Sequence, residues 1–130
     1  AYFLLRNCLY IPKLTYFLRT CAVWNFPQML ISFDDLLRSS FTNVLNMNIN
    51  DDEWRQATLR VIDGGTGLRK ICDIALPCFL SSTYGAQTLA SQILPHMDSP
   101  FPIYLQADAG MELFKLLRLL QFLIVKNAGI

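Results

Sequence analysis

Apolar residues recur along most of this chain at intervals of three and four, the spacing that lines one face of an α-helix. Residues 1–10 read as the end of a helix already under way. Pro12 suits the first turn of a second helix, where its missing N–H costs nothing, and Leu14, Phe17, Leu18 and Cys21 form the apolar stripe of that helix. A third helix is expected after Asn25 as cap, with Pro27 just inside it. Leu30, Phe33, Leu37, Phe41, Val44 and Leu45 keep its period for about four turns, with Asp34, Asp35 and Arg38 largely on the other side. The stretch from Asn46 to Asn50 breaks the pattern.

Asn50-Asp51-Asp52-Glu53 resembles a capping box, opening a short helix over roughly residues 51–58. Acids in that first turn also oppose the positive end of the helix dipole. Leu59-Arg60-Val61-Ile62 looks extended, and Gly64, Gly65 and Gly67 permit a tight turn with positive φ. Helical periodicity resumes at Arg69 through Ile71, Ile74, Ala75, Phe79 and Leu80, with Pro77 either kinking this helix or splitting it. Pro95, Pro100 and Pro102 mark a loop over about residues 95–110, before a last helix in the segment 111–130. The expected fold is mainly α: an irregular bundle of about five to six helices, with a glycine-rich turn and at most one short strand or hairpin. Residues 1–94 would form the main helical region.

Composition sharpens this picture. The 130 residues amount to one domain, 53% hydrophobic and only 16% charged, against about 25% charged in ordinary globular domains. Such a chain is not disordered, and its apolar excess suggests a piece whose neighbouring segments cover part of its surface. The absence of an initial Met and the apolar opening Ala1-Tyr2-Phe3-Leu4-Leu5 fit a fragment, and the last helix reads as truncated. A net charge of +1 makes no global case for nucleic-acid binding. Cys8, Cys21, Cys72 and Cys78 show no C-x-x-C pair and, with the single His96, no zinc spacing. They are expected to be buried, reduced thiols of an intracellular, non-secreted protein. The most apolar run, Leu113 to Val125, is interrupted by Lys115, Arg118 and Gln121 and falls short of the ~20 residues that span a bilayer. No membrane partner is expected, and the N-terminus lacks the pattern of a signal peptide.

Few residues invite catalytic chemistry. Phe33-Asp34-Asp35 resembles the aromatic and paired acids of a polymerase, but such acids need a tight turn between strands to hold divalent metals. Here they sit within a periodic helix and read as two solvated acids. Capping accounts for Asp51-Asp52-Glu53 without a metal. Gly64-Gly65-Thr66-Gly67 lacks the Gly-Lys-Ser/Thr of a phosphate loop and has Lys70 where a dinucleotide fingerprint has glycine. His96 has no partner at catalytic spacing. Trp54 reads as a core anchor, with base stacking the alternative. Arg60, Arg69 and Lys70 flank the glycine turn and are the one local basic cluster; they either contact phosphates or belong to a solvated loop.

The string Trp54-Arg55-Gln56-Ala57-Thr58-Leu59-Arg60-Val61-Ile62-Asp63-Gly64-Gly65-Thr66-Gly67-Leu68-Arg69 resembles a segment of the reverse transcriptases of non-LTR (LINE-like) retrotransposons. That family reads W-x-Q-A-x-L-P-V-x-x-G-G-L-G-L-R after the polymerase palm. Leu4-Leu5-Arg6-Asn7-Cys8 followed by Pro12 to Thr20 is similar to its L-L-R-x-C…P-K-L-x-Y-L-L-R-T, and Cys72 to Ser82 to its D-x-A-x-P-A-F-L-A-S. The similarity covers about residues 4–83. Arg60 stands where the family has proline and Thr66 where it has leucine, which is expected to loosen the approach to the turn and weaken an apolar anchor, at roughly 1 kcal/mol each.

The resemblance implies a thumb-like, post-palm region that supports RNA/DNA primer–template through the parent polymerase and packs on the rest of the parent chain. It implies no catalytic residue, metal or cofactor in this segment, whereas the parent, an RNA-directed DNA polymerase, would use Mg2+. Lys13, Arg19, Arg60, Arg69 and Lys70 become candidate backbone contacts, with Trp54, Gly64, Gly65 and Gly67 structural. A helical protein-interaction module and a transposon remnant without selected function are the competing expectations.

Overall fold

A computed structural model of the chain describes residues 1–9, 11–95 and 102–127. Among them every regular element is helical and no strand occurs. A short turn α1 (Tyr2–Leu4) runs into a π-helical segment, Leu5–Leu9, and then come α2 (Ile11–Thr20) and a 3-10 turn at Val23–Asn25. The long α3 (Pro27–Leu45), the short α4 (Asp51–Ala57), α5 (Ile71–Ile93) and α6 (Pro102–Asn127) complete the fold. Between α4 and α5 the chain makes a 3-10 turn at Val61–Asp63 and the glycine loop. The mainly helical architecture expected from the periodicity is what forms.

Several local expectations change. The cap of α3 is Phe26, without a side-chain hydrogen bond, and Asn25 belongs to the preceding 3-10 turn. Residues 59–62 are not extended as a unit: Arg60 is, and Val61 and Ile62 enter the 3-10 turn with their side chains exposed. Their β-branched character suggested a strand, but no neighbouring segment offers it a ladder. The last helix begins at Pro102 rather than near 111, with the proline in its first turn, where helices accept it. Residues 96–101 of the expected loop, His96 among them, lie outside the described residues. α5 continues unbroken through Pro77. An interior proline costs about 3 kcal/mol, and the burial of Ala75, Leu76, Phe79 and Leu80 on both sides of it outweighs that loss.

Three apolar clusters are built on α3 and α5, the first on α3, the third on α5 and the second on both. Leu5, Leu37, Phe41, Trp54 and Leu68 form the first, with Tyr2, Ile49 and Ala57 packed against it. The Trp54 ring stands 6.0 Å from that of Phe41, so this tryptophan is the core anchor expected. Leu18, Leu30, Ile71 and Ala75 form the second cluster, where α2, α3 and α5 meet. The third joins Leu76, Phe79 and Leu80 of α5 to Ala107 of α6, with Trp24, Tyr84, Met111 and Phe114 around them. The stripe assigned to α2 is only partly inward: Leu18 is buried and Leu14 half-buried, while Phe17 and Cys21 are exposed. In the last turn of α3, Val44 and Leu45 are exposed as well.

Asp34 departs furthest from its expected setting. It is buried, and its carboxylate accepts the backbone N–H groups of Ile71 (2.6 Å) and Cys72 (3.1 Å), the first two residues of α5. A helix begins with N–H groups that have no partner within it. The N-cap of α5 is Lys70, which makes no side-chain cap hydrogen bond. Asp34 supplies the acceptors from another helix, and its charge opposes the positive end of the α5 dipole. Asp35, the next residue, remains exposed.

Candidate nucleic-acid interface

The glycine loop that carries the basic residues is built on α4. The Asn50 side chain accepts the N–H of Glu53 at 2.9 Å, and the Glu53 carboxylate accepts the N–H of Asn50 at 2.8 Å, completing the expected capping box. Arg38 of α3 fastens this end by donating to Asp51 (2.7 Å) and to the Ile49 carbonyl (2.8 Å). At the other end of α4 the loop folds back over the last turn. The N–H groups of Thr66 and Gly67 donate to the carbonyls of Ala57 and Leu59, each at 3.0 Å. Gly64 and Gly67 have φ of +82° and +77°, where a side chain is strained. Gly65 has no positive φ; it is required by proximity, because a Cβ there would lie 2.2 Å from the Leu59 carbonyl oxygen.

Thr66 is not the weakened anchor that its departure from the family pattern suggested. Its hydroxyl donates to the Ala57 carbonyl at 2.7 Å, and its own carbonyl accepts the Tyr2 hydroxyl. Polar bonds hold the loop at this position. Arg60 adopts φ −63° and ψ 153°, a conformation that proline also takes.

Arg60, Arg69 and Lys70 converge on one open cavity of about 270 Å³, lined also by Thr58, Leu59, Asp63, Asp73 and Ile74. Its charges are mixed. Asp63 accepts two hydrogen bonds from the Arg60 guanidinium, at 2.6 and 3.3 Å, and this bond and charge raise the Arg60 pKa above its ordinary value. Three cations and two carboxylates leave the cavity with one excess positive charge. A phosphate oxygen has the geometry to replace Asp63 on Arg60, because both are planar or tetrahedral anions that accept a guanidinium fork.

The other two predicted cations stand apart on α2, both exposed: Lys13 in its first turn and Arg19 in its last. The Cys78 thiol, pushed up by burial, is drawn partly back down by the charges of Arg19 and Arg69. Thus Arg19 and Arg69 share one electrostatic neighbourhood, whereas Lys13 is two turns away from it. Sequence reasoning did not assign Arg6 a place here, yet its guanidinium lies against the backbone of the glycine loop: a Cβ on Gly67 would be 2.9 Å from its terminal nitrogen. The signal was present only as an arginine some sixty residues upstream, with nothing local to link the two.

Nucleophilic chemistry has little footing in the thiols. All four cysteines are free, and three of them (Cys8, Cys21 and Cys72) are exposed rather than buried as expected, with Cys78 half-buried. The Cys72 thiol is pushed up to about 12, first by partial loss of solvent and then by the hydrogen bond and charge of Asp34 and the charge of Asp73. It is therefore a thiol, not a thiolate, at neutral pH. Among the described residues no three His, Cys, Asp or Glu side chains stand close enough together to hold a metal ion. No helix among them is long and apolar enough to cross a membrane.

Comparison with protein families, with curated proteins and with solved structures gave no match for this chain.

Proposed function

We propose that this chain is a helical, non-catalytic segment of a reverse transcriptase of the non-LTR retrotransposon type, lying after the palm and supporting RNA/DNA primer–template in the parent polymerase. The observation that carries the reading is the convergence of Arg60, Arg69 and Lys70 on one cavity beside the glycine loop. The same loop bears the string that resembles the family. In this reading the capping box, the loop hydrogen bonds and the buried Trp54 hold three cations in place, and those cations meet phosphate oxygens without reading base identity. Arg19 extends the positive face toward α2, and Lys13 lies at its margin. Chemistry and Mg2+ belong to the palm of the parent. The competing reading, a helical module for protein interaction, is favoured by a separate feature of α6, the apolar face described below.

The salt dependence of binding tests the proposal. The chain is titrated with an RNA–DNA hybrid by fluorescence anisotropy over a series of salt concentrations, beside a variant with Arg60, Arg69 and Lys70 all changed to alanine. Each phosphate contact contributes roughly 0.7–0.9 to the slope of log K against log salt, so the triple variant should flatten it by about 2. Lys13→Ala should change it by less than one contact. A slope unchanged in the triple variant would remove the cavity from the binding surface.

A further inference from the structure

We propose that the outward face of α6 is a self-association surface, on which a second copy of this chain docks antiparallel to the first. Ala107, Gly110, Met111 and Phe114 turn α6 toward Leu76, Phe79 and Trp24. Leu113, Leu116, Leu120 and Leu123 project from the other side, roughly 150° around the helix at 100° per residue. They are 40%, 58%, 56% and 51% exposed. Their intervals of three, four and three are those of the a and d positions of a heptad, the seam along which two helices pair. Leu117, Leu119 and Ile124, exposed as well, flank that seam. Monomers rarely leave a contiguous apolar stripe of this kind in water.

The charges beside the seam select the occupant. In an antiparallel pair the leucines match among themselves: Leu113 meets Leu123 of the second copy, and Leu116 meets its Leu120. The two-fold axis then passes close to residue 118. Glu112 and Lys126 lie nearly equidistant from that point, at equivalent flanking positions on the same edge of the seam. The axis therefore brings Glu112 of each copy to Lys126 of the other, twice. A parallel pairing would set Glu112 against an apolar flanking position instead. A face that is complementary to itself under a two-fold rotation, leucine to leucine and acid to base, is the signature of an isologous interface. In the single chain Glu112 accepts a hydrogen bond from Lys115 at 2.9 Å, an exposed pair that an intermolecular partner displaces at little cost. This surface lies on a different element from the basic cavity and does not rest on the nucleic-acid reading.

Sedimentation of the 130-residue chain over a range of concentrations tests it. The wild-type chain should be a dimer in reversible exchange with monomer. The pair of changes L116E and L120E falls on exposed positions, so helicity by circular dichroism should be retained, and the chain should be monomeric wherever the wild type dimerises. Glu112→Lys should weaken the dimer by about tenfold, and adding Lys126→Glu should restore it. A wild-type monomer would overturn the proposal, as would a dimer that survives the two leucine changes. A dimer lost with the leucines but indifferent to the charge exchange would overturn the antiparallel register.

Discussion

At the scale of single residues, Asp34 shows how one side chain can belong to two helices. Its own helix places it at helical spacing among the buried Leu30, Leu37 and Phe41, and the start of α5 takes up both of its carboxylate oxygens. Asp34→Ala would leave two N–H groups without acceptors and should lower stability by about 2–4 kcal/mol in denaturant unfolding. Asp34→Asn, which keeps one acceptor oxygen, should cost about half as much. The effect reaches Cys72, whose pKa is raised from 9.0 to about 12 in the folded chain. Because the folded state favours the neutral thiol, its contribution to stability is complete below about pH 9 and is lost as pH rises through about 12. Alkylation of Cys72 at pH 9 should accordingly be slower in the folded chain than in the unfolded one, and Asp34→Ala should speed it. Equal rates in all three would show that neither fold nor carboxylate restrains the thiol.

Among the elements, the glycine loop separates two reasons for having glycine. At Gly65 a methyl group would meet the Leu59 carbonyl, and the backbone on both sides is committed to hydrogen bonds, Gly65 N–H donating to Arg60 and Gly67 N–H to Leu59. Gly65→Ala should therefore destabilise by about 1–3 kcal/mol. Gly85, inside α5, has no atom within 4 Å of where a Cβ would be, so Gly85→Ala should stabilise by about 0.5–1 kcal/mol through helix propensity. Thermal unfolding of the two variants would distinguish these cases by sign. The capping box of α4 was legible because all its parts lie within four residues. The start of α6 was not, since Pro102 reads as loop punctuation when only its neighbours are considered, and as an N-terminal helical residue once α6 is seen to dock through Ala107 and Gly110.

For the molecule as a whole, α6 is joined to the rest mainly through α5. Gly110 admits the Trp24 ring and the Leu76 side chain, which a Cβ would approach to 3.1 and 2.9 Å. Tyr84 of α5 adds a hydrogen bond to Asp108 at 2.6 Å. Gly110→Val should push α6 off α5, and overpacking of this kind costs about 1–3 kcal/mol. Hydrogen exchange should then show lost protection in the first half of α6, with α3 and α4 unchanged. Uniform loss across all helices would mean instead that the chain unfolds as one unit and that α6 is not a separable element.

Helix period and the capping box were determined by sequence alone, because each depends on residues within one or two turns of one another; the burial of Trp54 was expected from its size, and its partners Leu5, Leu37, Phe41 and Leu68 were supplied by the fold. The convergence of Arg60, Arg69 and Lys70 was half visible: their neighbourhood could be read, and the carboxylates of Asp63 and Asp73 that share their cavity acquired meaning only with the fold. Tertiary structure decided the rest. Asp34 reaches Ile71 across 37 residues, Tyr2 reaches Thr66 across 64, and Arg6 lies against Gly67. It also decided that Ala107, Gly110, Met111 and Phe114 are the residues of α6 that face inward, since a helix apolar around most of its circumference carries no mark of which side its neighbour will occupy. Local spacing sets the form of a helix, and only the packing of distant segments sets which face of it is left for something else to bind.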